Sequence, residues 1–240
     1  MINLTIDGRN IEAKDGQTIL EAARDNKISI PTLCFHESVQ SYGACRLCIV
    51  SVEQAGRERL VVSCLYPVDE GLAVKTSTPR VDEVRRTLLD FLLARCPDSN
   101  VIRDLARQYG VVKTSFKEDS GNGKCILCAL CTRVCRETVG SSSISLVNRG
   151  TNRKVATPFH AFPESCIACG SCAFVCPTGA ITVRDVGETR IIAMPDGTME
   201  FKMKQCAACS RYWAPERQIE FMRKQAGLPE DAYDRCPDCR

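Results

Sequence analysis

Residues 123–136 read GKCILCALCTRVCR, and residues 164–179 read ESCIACGSCAFVCPTG. They repeat one pattern, Cys125-x2-Cys128-x2-Cys131-x3-Cys135 and then Cys166-x2-Cys169-x2-Cys172-x3-Cys176-Pro177. Thiolates are soft donors that suit the iron of a sulfide cluster. Three Cys at two-residue gaps wrap one corner of a [4Fe-4S] cubane within a tight loop, and the fourth ligand must come from elsewhere. A pair of all-cysteine zinc sites would not need four Cys per repeat at this spacing. Gly170 is small enough for the backbone to approach the sulfurs closely, and its amide is a candidate donor to them.

The composition supports metal over disulfides. Seventeen Cys stand against two His in 240 residues. An odd Cys count fits a disulfide framework poorly. No stretch approaches the roughly 18 apolar residues that span a bilayer, so no transmembrane segment is expected. MINLTIDGRN, residues 1–10, has neither the basic start nor the apolar run of a secretory signal. The expected location is therefore cytoplasmic, where thiols stay reduced or bind metal. Net charge is +3 and evenly spread, and metal-bound thiolates make it more negative. No basic footprint for nucleic acid remains.

Outward from the repeats, the cysteines divide the chain into an α+β array of small modules. In 1–79, Ile2, Leu4 and Ile6 alternate with polar residues, Asp7-Gly8 turns the chain, and Ile11 and Ala13 continue a second strand. Thr18 and Glu21 make a capping box for a short helix. Cys34, Cys45, Cys48 and Cys64 then lie in a loop and between strands over 49–52 and 60–62. Strand, strand, helix, loop, strands is the order of a β-grasp, and four thiolates there suit a [2Fe-2S] cluster, two Cys per iron. Spacing alone would also describe a zinc site. Residues 80–118 form a helical linker, with Val81, Val84, Leu88, Phe91 and Leu92 at helical spacing and Pro97 as a stop. Asp98 or Ser99 caps a second helix. Ser120-Gly121-Asn122-Gly123 marks a boundary, opening a two-[4Fe-4S] module over 119–187.

The C-terminal module, 188–240, opens with a hairpin over 189–203. It carries Cys206-x2-Cys209 and Cys236-x2-Cys239, with Pro215 at a helix start and Gly227 as its C-cap. Two such knuckles are the usual ligands of a structural zinc ion, favoured here over a further iron–sulfur cluster. Tyr212 and Trp213 either pack on the first knuckle or anchor a partner. His36 and His160 are lone histidines and are not expected to ligate metal.

In the bacterial two-cluster arrangement the fourth Cys of each run serves the other cluster. That assigns Cys125, Cys128, Cys131 and Cys176 to one cubane and Cys166, Cys169, Cys172 and Cys135 to the other. Residues 119–187 thus resemble the dicluster ferredoxins, with Arg136 where many have Pro and a 30-residue insertion between repeats. Further, IPTLCFH (30–36), SYGACRLCIVSVE (41–53) and VVSCLYPVDEGLAVKT (61–76) resemble the N-terminal iron–sulfur region of the large peripheral subunit of respiratory complex I. They resemble equally the small diaphorase subunit of NAD-reducing and bifurcating hydrogenases. The resemblance covers roughly 1–187 and implies the order β-grasp, linking helices, dicluster ferredoxin. Those relatives usually carry a further cubane on one His and three Cys after the long helix. Here 80–118 offers Cys96 alone, so that site is read as lost and Cys96 as a buried small hydrophobe.

No nicotinamide- or flavin-binding glycine motif and no catalytic triad spacing is present, so no catalytic residue is assigned. The resemblance implies an electron-transfer subunit of an NAD(H)-linked oxidoreductase. It would relay single electrons between a flavin-containing NADH-binding subunit, with its thioredoxin-like [2Fe-2S] companion, and a hydrogenase or formate dehydrogenase catalytic subunit. The alternatives are a free ferredoxin-like carrier and a self-contained NADH:acceptor reductase.

Overall fold

The computed structural model describes residues 1–119, 123–158 and 163–240. Ser120, Gly121, Asn122 and His160, singled out above, lie outside them. The chain divides into two compact units, Met1–Cys128 and Ala129–Arg240.

In the first unit, β1 (Ile2–Ile6) and β2 (Arg9–Ala13) pair antiparallel across the Asp7-Gly8 turn. Then come α1 (Ile19–Asp25), β3 (Ile49–Gln54), β4 (Arg57–Val62) and β5 (Ala73–Lys75). The five strands lie in the order β2-β1-β5-β3-β4, with β5 parallel to β1 and antiparallel to β3. The capping box at α1 is complete: Thr18 accepts from the Glu21 amide, and the Glu21 carboxylate accepts from the Thr18 amide. Ile19, Leu20, Ala22 and Ala23 are buried, in one core with Leu4, Ile6, Val50, Val52, Leu72 and Val74. The sequence pattern does not reveal β5, because three residues carry no readable alternation. It is nonetheless the central strand, and Val74 is buried between its neighbours.

Thr78 caps α2 (Pro79–Arg95), with Pro79 in the first turn, and Ser99 caps α3 (Asn100–Gln108). Both helices fall where the linker reading expects them. They pack with the cysteine loop of the first domain in a second core of Leu33, Leu47, Leu89, Leu93, Cys96, Ile102 and Ala106. Cys96 is the C-cap of α2 and fully buried. Cys45 and Ile126 pack at the edge of the same core.

Arg85 locks this junction. Its side chain, 3 % exposed, reaches from α2 into the cysteine loop, where Nε donates to the Leu47 carbonyl at 3.1 Å and Nη2 to the Ile49 carbonyl at 2.7 Å. These carbonyls flank Cys48, so the helix holds a ligand-bearing loop by its backbone. A buried guanidinium is tolerated because those donors are satisfied and Asp82 lies 3.7 Å away.

In the second unit, α4 (Leu130–Arg133) runs into a wider π turn over Val134–Thr138 that contains Cys135. A small hairpin pairs β6 (Ser145–Val147) with β7 (Lys154–Ala156) around Asn148-Arg149-Gly150. After α5 (Ser171–Phe174) come β8 (Thr182–Val186), β9 (Thr189–Met194), β10 (Gly197–Gln205) and β11 (Tyr212–Pro215), in the order β11-β10-β9-β8. Helix α6 (Glu216–Ala226) ends on Gly227, whose φ of 61° suits a left-handed cap. Ile219 on α6 is buried, whereas Met222 is exposed. The sequence boundary at 187/188 falls in the β8–β9 turn. A single sheet therefore runs from the second cysteine repeat to the first C-terminal knuckle. Among the described residues, no helix is long and apolar enough to cross a membrane.

Arg85→Ala should lower the unfolding free energy by about 3 kcal/mol, because two loop carbonyls lose their donors and a cavity opens. Urea denaturation of the full chain measures it. A loss below about 1 kcal/mol would mean that Arg85 does not hold the loop.

Candidate metal centres

None of the 17 cysteines is paired in a disulfide. In the first unit the structure brings Cys34, Cys45, Cys48 and Cys64 together as two pairs. Cys34 and Cys45 share a side-chain hydrogen bond, as do Cys48 and Cys64, and Cys64 also feels the charges of Cys34 and Cys45. The partner's S–H holds Cys45 down to about 5 and Cys48 to about 7, while Cys34 and Cys64 are pushed up. Backbone amides face the sulfurs: Leu33 donates to Cys45 Sγ at 3.5 Å and Cys45 to Cys34 Sγ at 3.4 Å. Gly43 leads into this loop with a φ of +69°, and a Cβ there would sit 2.5 Å from Leu65 Cδ1. Its lack of a side chain lets the chain pass beside Leu65, next to Cys64. Two thiol pairs with amide donors fit a binuclear sulfide cluster, which needs two thiolates on each metal.

The two four-Cys runs share a backbone signature. Leu127 and Ala129 have φ of 53° and 60°, and at the equivalent positions Ala168 and Gly170 have 58° and 81°. Alternating left-handed residues curl each loop so that successive amides point inward, as in anion-binding nests. Only Gly170 among these four advertises such a conformation in its residue type.

Cys125 and Cys128 are buried in the first unit. In the second, Cys131 is buried and Cys135, Cys166, Cys169, Cys172 and Cys176 are half-buried. One cavity of that unit is lined by Cys135, Cys166, Cys169 and Cys172, walled by Ile144 and Ile192. Cys176 is not among its lining residues. The Ser143 amide donates to Cys135 Sγ at 3.3 Å, and the Ser143 hydroxyl lies 3.0 Å from that of Ser165. Burial, then the facing sulfurs, pushes the Cys172 thiol up to about 12 and raises Cys166. A bound cationic metal core would reverse both shifts, since thiolates are the ligating form. Four thiols on one lined cavity, with an amide already aimed at sulfur, fit an iron–sulfur cluster.

At the C-terminus, Cys206, Cys209, Cys236 and Cys239 place their sulfurs within 4.8 Å of one another, with Cys209 and Cys236 at 3.8 Å. One tetrahedral ion with bonds of about 2.3 Å separates its sulfurs by about 3.8 Å. A cubane interposes four metal atoms and spreads its thiolates farther. The geometry fits one ion. The Cys236 amide donates to Cys206 Sγ at 3.3 Å, and with the Cys209 amide it lowers that thiol to about 6. Arg211 bonds Asp238 and donates to Cys236 Sγ at 3.6 Å. Trp213 lies in β11 with its indole N–H buried.

Cys96 joins none of these groups as an evident ligand. It is pushed up to about 12 by burial and then by the charge of Cys125. His36 accepts a hydrogen bond from the Ser38 amide on Nδ1. Sequence reasoning missed the arginines that hold the cysteine loops: Arg85, Arg190 and Arg217. Arg190 was detectable, because Asp185 stands opposite it across the β8–β9 hairpin.

Residues 1–79 match the family described as 2Fe-2S iron-sulfur cluster binding domain, and residues 161–182 the family described as 4Fe-4S binding domain. The chain is 35 % identical over 211 residues to NADP-reducing hydrogenase subunit HndD of Solidesulfovibrio fructosivorans, covering 75 % of this chain and 36 % of the relative. It is 32 % identical over 205 residues to the NADH-ubiquinone oxidoreductase 75 kDa subunit of Reclinomonas americana, covering 76 % and 29 %. A 34 % identity joins it to NADPH-Fe(3+) oxidoreductase subunit alpha of Geobacter sulfurreducens, over 75 % and 24 %. The chain thus spans about a quarter to a third of these curated relatives. A solved chain of an NAD+-reducing [NiFe]-hydrogenase superposes with a TM-score of 0.56 and 28 % identity, covering 65 % of this chain and 74 % of that one. The resemblance to the complex I subunit therefore holds in sequence, and that to hydrogenase subunits in sequence and structure. The chain carries a 2Fe-2S and a 4Fe-4S binding domain, followed by a four-cysteine group able to bind a metal.

The pH dependence of metal binding at the C-terminal group follows from its thiols. Cys206 is a thiolate above about 6, whereas Cys239, pushed up to about 12 by the sulfurs facing it, must lose its proton to bind. Zinc affinity should therefore fall with falling pH and fall more steeply below about 6, where Cys206 adds a proton to be displaced. Competition against a chelator of known protonation, from pH 5 to 8, reads the slope. A slope unchanged through pH 6 would contradict this role of Cys206.

Proposed function

We propose that the chain is an electron-transfer iron–sulfur subunit of a multi-subunit NAD(H)-linked oxidoreductase of hydrogenase or formate dehydrogenase type, working in the cytoplasm. The observation that carries this reading is the ordered succession of a 2Fe-2S and a 4Fe-4S domain, in a chain similar to subunits of NADH-, NADPH- and hydrogen-linked enzymes. Its partners are a flavin-containing NADH-binding subunit, a thioredoxin-like [2Fe-2S] subunit and a catalytic subunit.

Bound iron–sulfur clusters supply storage and transfer of one electron at a time. The chain's residues hold them. Cys34 with Cys45, and Cys48 with Cys64, ligate one iron each of a [2Fe-2S] cluster. Cys125, Cys128, Cys131 and Cys176 ligate one cubane, and Cys166, Cys169, Cys172 and Cys135 the other. The cavity lined by the last four supports the exchanged fourth ligand. The amides of Leu33, Cys45 and Ser143 stabilise thiolate charge, and α2, α3 and their apolar core exclude water between Cys45 and the Ile126 loop. The resemblance implies a further cubane in this linker, for which 80–118 offers Cys96 alone. Cys206, Cys209, Cys236 and Cys239 hold zinc, a structural ion that fixes the end of the sheet.

Two experiments test the reading. In native extract, gel filtration should find the chain in a complex well above its own 26.5 kDa, and the isolated chain should carry no flavin. Elution near its own mass would make it a free carrier, and tightly bound flavin a self-contained reductase. Cys176→Ala should damage the cubane of Cys125, Cys128 and Cys131, whereas Cys96→Ala should leave iron content unchanged. Loss of only the Cys166–Cys172 cubane in the first variant, or of iron in the second, would overturn the ligand assignment.

A further inference from the structure

The cavity of Cys135, Cys166, Cys169 and Cys172 is completed from outside the cysteine repeats. Ile192, Met194 and Met199, on β9 and β10, line it beside the four sulfurs. Val183 of β8 packs where a Cβ on Gly170 would point, 3.4 Å away. Two arginines from the same sheet-and-helix layer then grip the loop from Pro163 to Ala168.

Arg190, on β9, donates from Nη1 to the Ala168 carbonyl at 3.1 Å. Its Nε and Nη2 are held by Asp185 in a fork at 2.7 and 2.8 Å. Ala168 is a left-handed residue whose amide faces Cys166 Sγ, so Arg190 holds the turn that aims this amide at sulfur. Arg217, in the first turn of α6, donates from Nη1 to the Pro163 carbonyl at 3.3 Å and the Cys166 carbonyl at 3.5 Å. Its guanidinium lies 5.5 Å from the Phe201 ring centre. Among the described residues no carboxylate forms an ion pair with Arg217, in contrast to Arg190. Its positive charge acts on Cys166 in the direction that favours the thiolate.

We propose that Arg217 and Arg190 are positioning residues of the cluster held by Cys135, Cys166, Cys169 and Cys172, and that Arg217 holds its reduction potential up. The inference rests on the ligand reading above. Reduction adds one negative charge to a centre already negative through its thiolates, and a cation held 3.5 Å from the backbone carbonyl of one ligand, Cys166, favours that form. Outer-shell partners tune a metal centre in this way by charge and by hydrogen bonds to its ligands. The two arginines divide these tasks: Arg190 is neutralised by Asp185 and acts through the Ala168 turn, whereas Arg217 acts through its charge. The C-terminal layer, on this account, sets the energy of an electron-transfer centre besides ending the fold.

An EPR-monitored potentiometric titration of the anaerobic full chain tests it, on wild type, Arg217→Gln, Arg217→Lys and Arg190→Gln. Arg217 is exposed, so its variants should fold and keep wild-type iron content. Arg217→Gln should shift the reduction equilibrium of one cubane three- to tenfold toward the oxidised form, about 28 to 59 mV for a one-electron couple. The other cubane and the [2Fe-2S] cluster should not move. Arg217→Lys, which keeps the charge, should recover most of that shift. Arg190→Gln should change the EPR line shape of the same cubane. A shift below about 1.5-fold in Arg217→Gln, or equal shifts of all three centres, would overturn the proposal while leaving the cluster reading intact. A wild-type chain showing one cubane wave would overturn the ligand reading and the proposal together.

Discussion

Gathering four thiolates in one small volume is the constraint on which this molecule turns. Without a cation at their centre, each added negative charge raises the cost of the next, and burial raises it further. Cys34 and Cys64 are pushed up by the paired sulfur and then by burial, and Cys166 and Cys172 by burial first. A bound metal would supply most of the relief, which would couple folding to metal binding. The protein supplies the rest through amides aimed at sulfur, left-handed turns that aim them, and arginines that hold those turns.

Regular structure serves these loops in a consistent way. In the first unit, α2 sends a buried arginine back to the carbonyls around Cys48, so helix and cysteine loop share one core. In the second, β9 and α6 send Arg190 and Arg217 to the carbonyls between Pro163 and Ala168. Both solutions use an arginine because its fork reaches several acceptors at once and keeps its charge. The small elements α4 and α5 are too short to be stable alone, and the loops they end draw their order from such clamps and from the metal.

Much of this was legible in the sequence because cysteine spacing is itself the chemistry. The four groups of four, the capping box at Thr18 and Glu21, the helices capped by Thr78 and Ser99, and Gly227 at the end of α6 are local patterns with local causes. What escaped has non-local causes. β5 is three residues long and becomes a strand only because β1 and β3 flank it. The left-handed Leu127, Ala129 and Ala168 are not residue types that announce a turn, and their backbone is set by non-local packing. Arg85 reads as the polar side of a helix until the cysteine loop folds over it. The 187/188 boundary follows a change in cysteine pattern, whereas β8 and β9 pair across it.

We propose a chain that carries three iron–sulfur centres and one structural metal ion. The most direct measurement is iron, acid-labile sulfide and zinc per chain, on protein isolated anaerobically from its own complex. About ten iron, ten sulfide and one zinc are expected, from two cubanes, one binuclear cluster and one four-thiolate ion. About fourteen iron without zinc would contradict the single-ion reading of the C-terminal group, and the absence of labile sulfide would contradict the account as a whole.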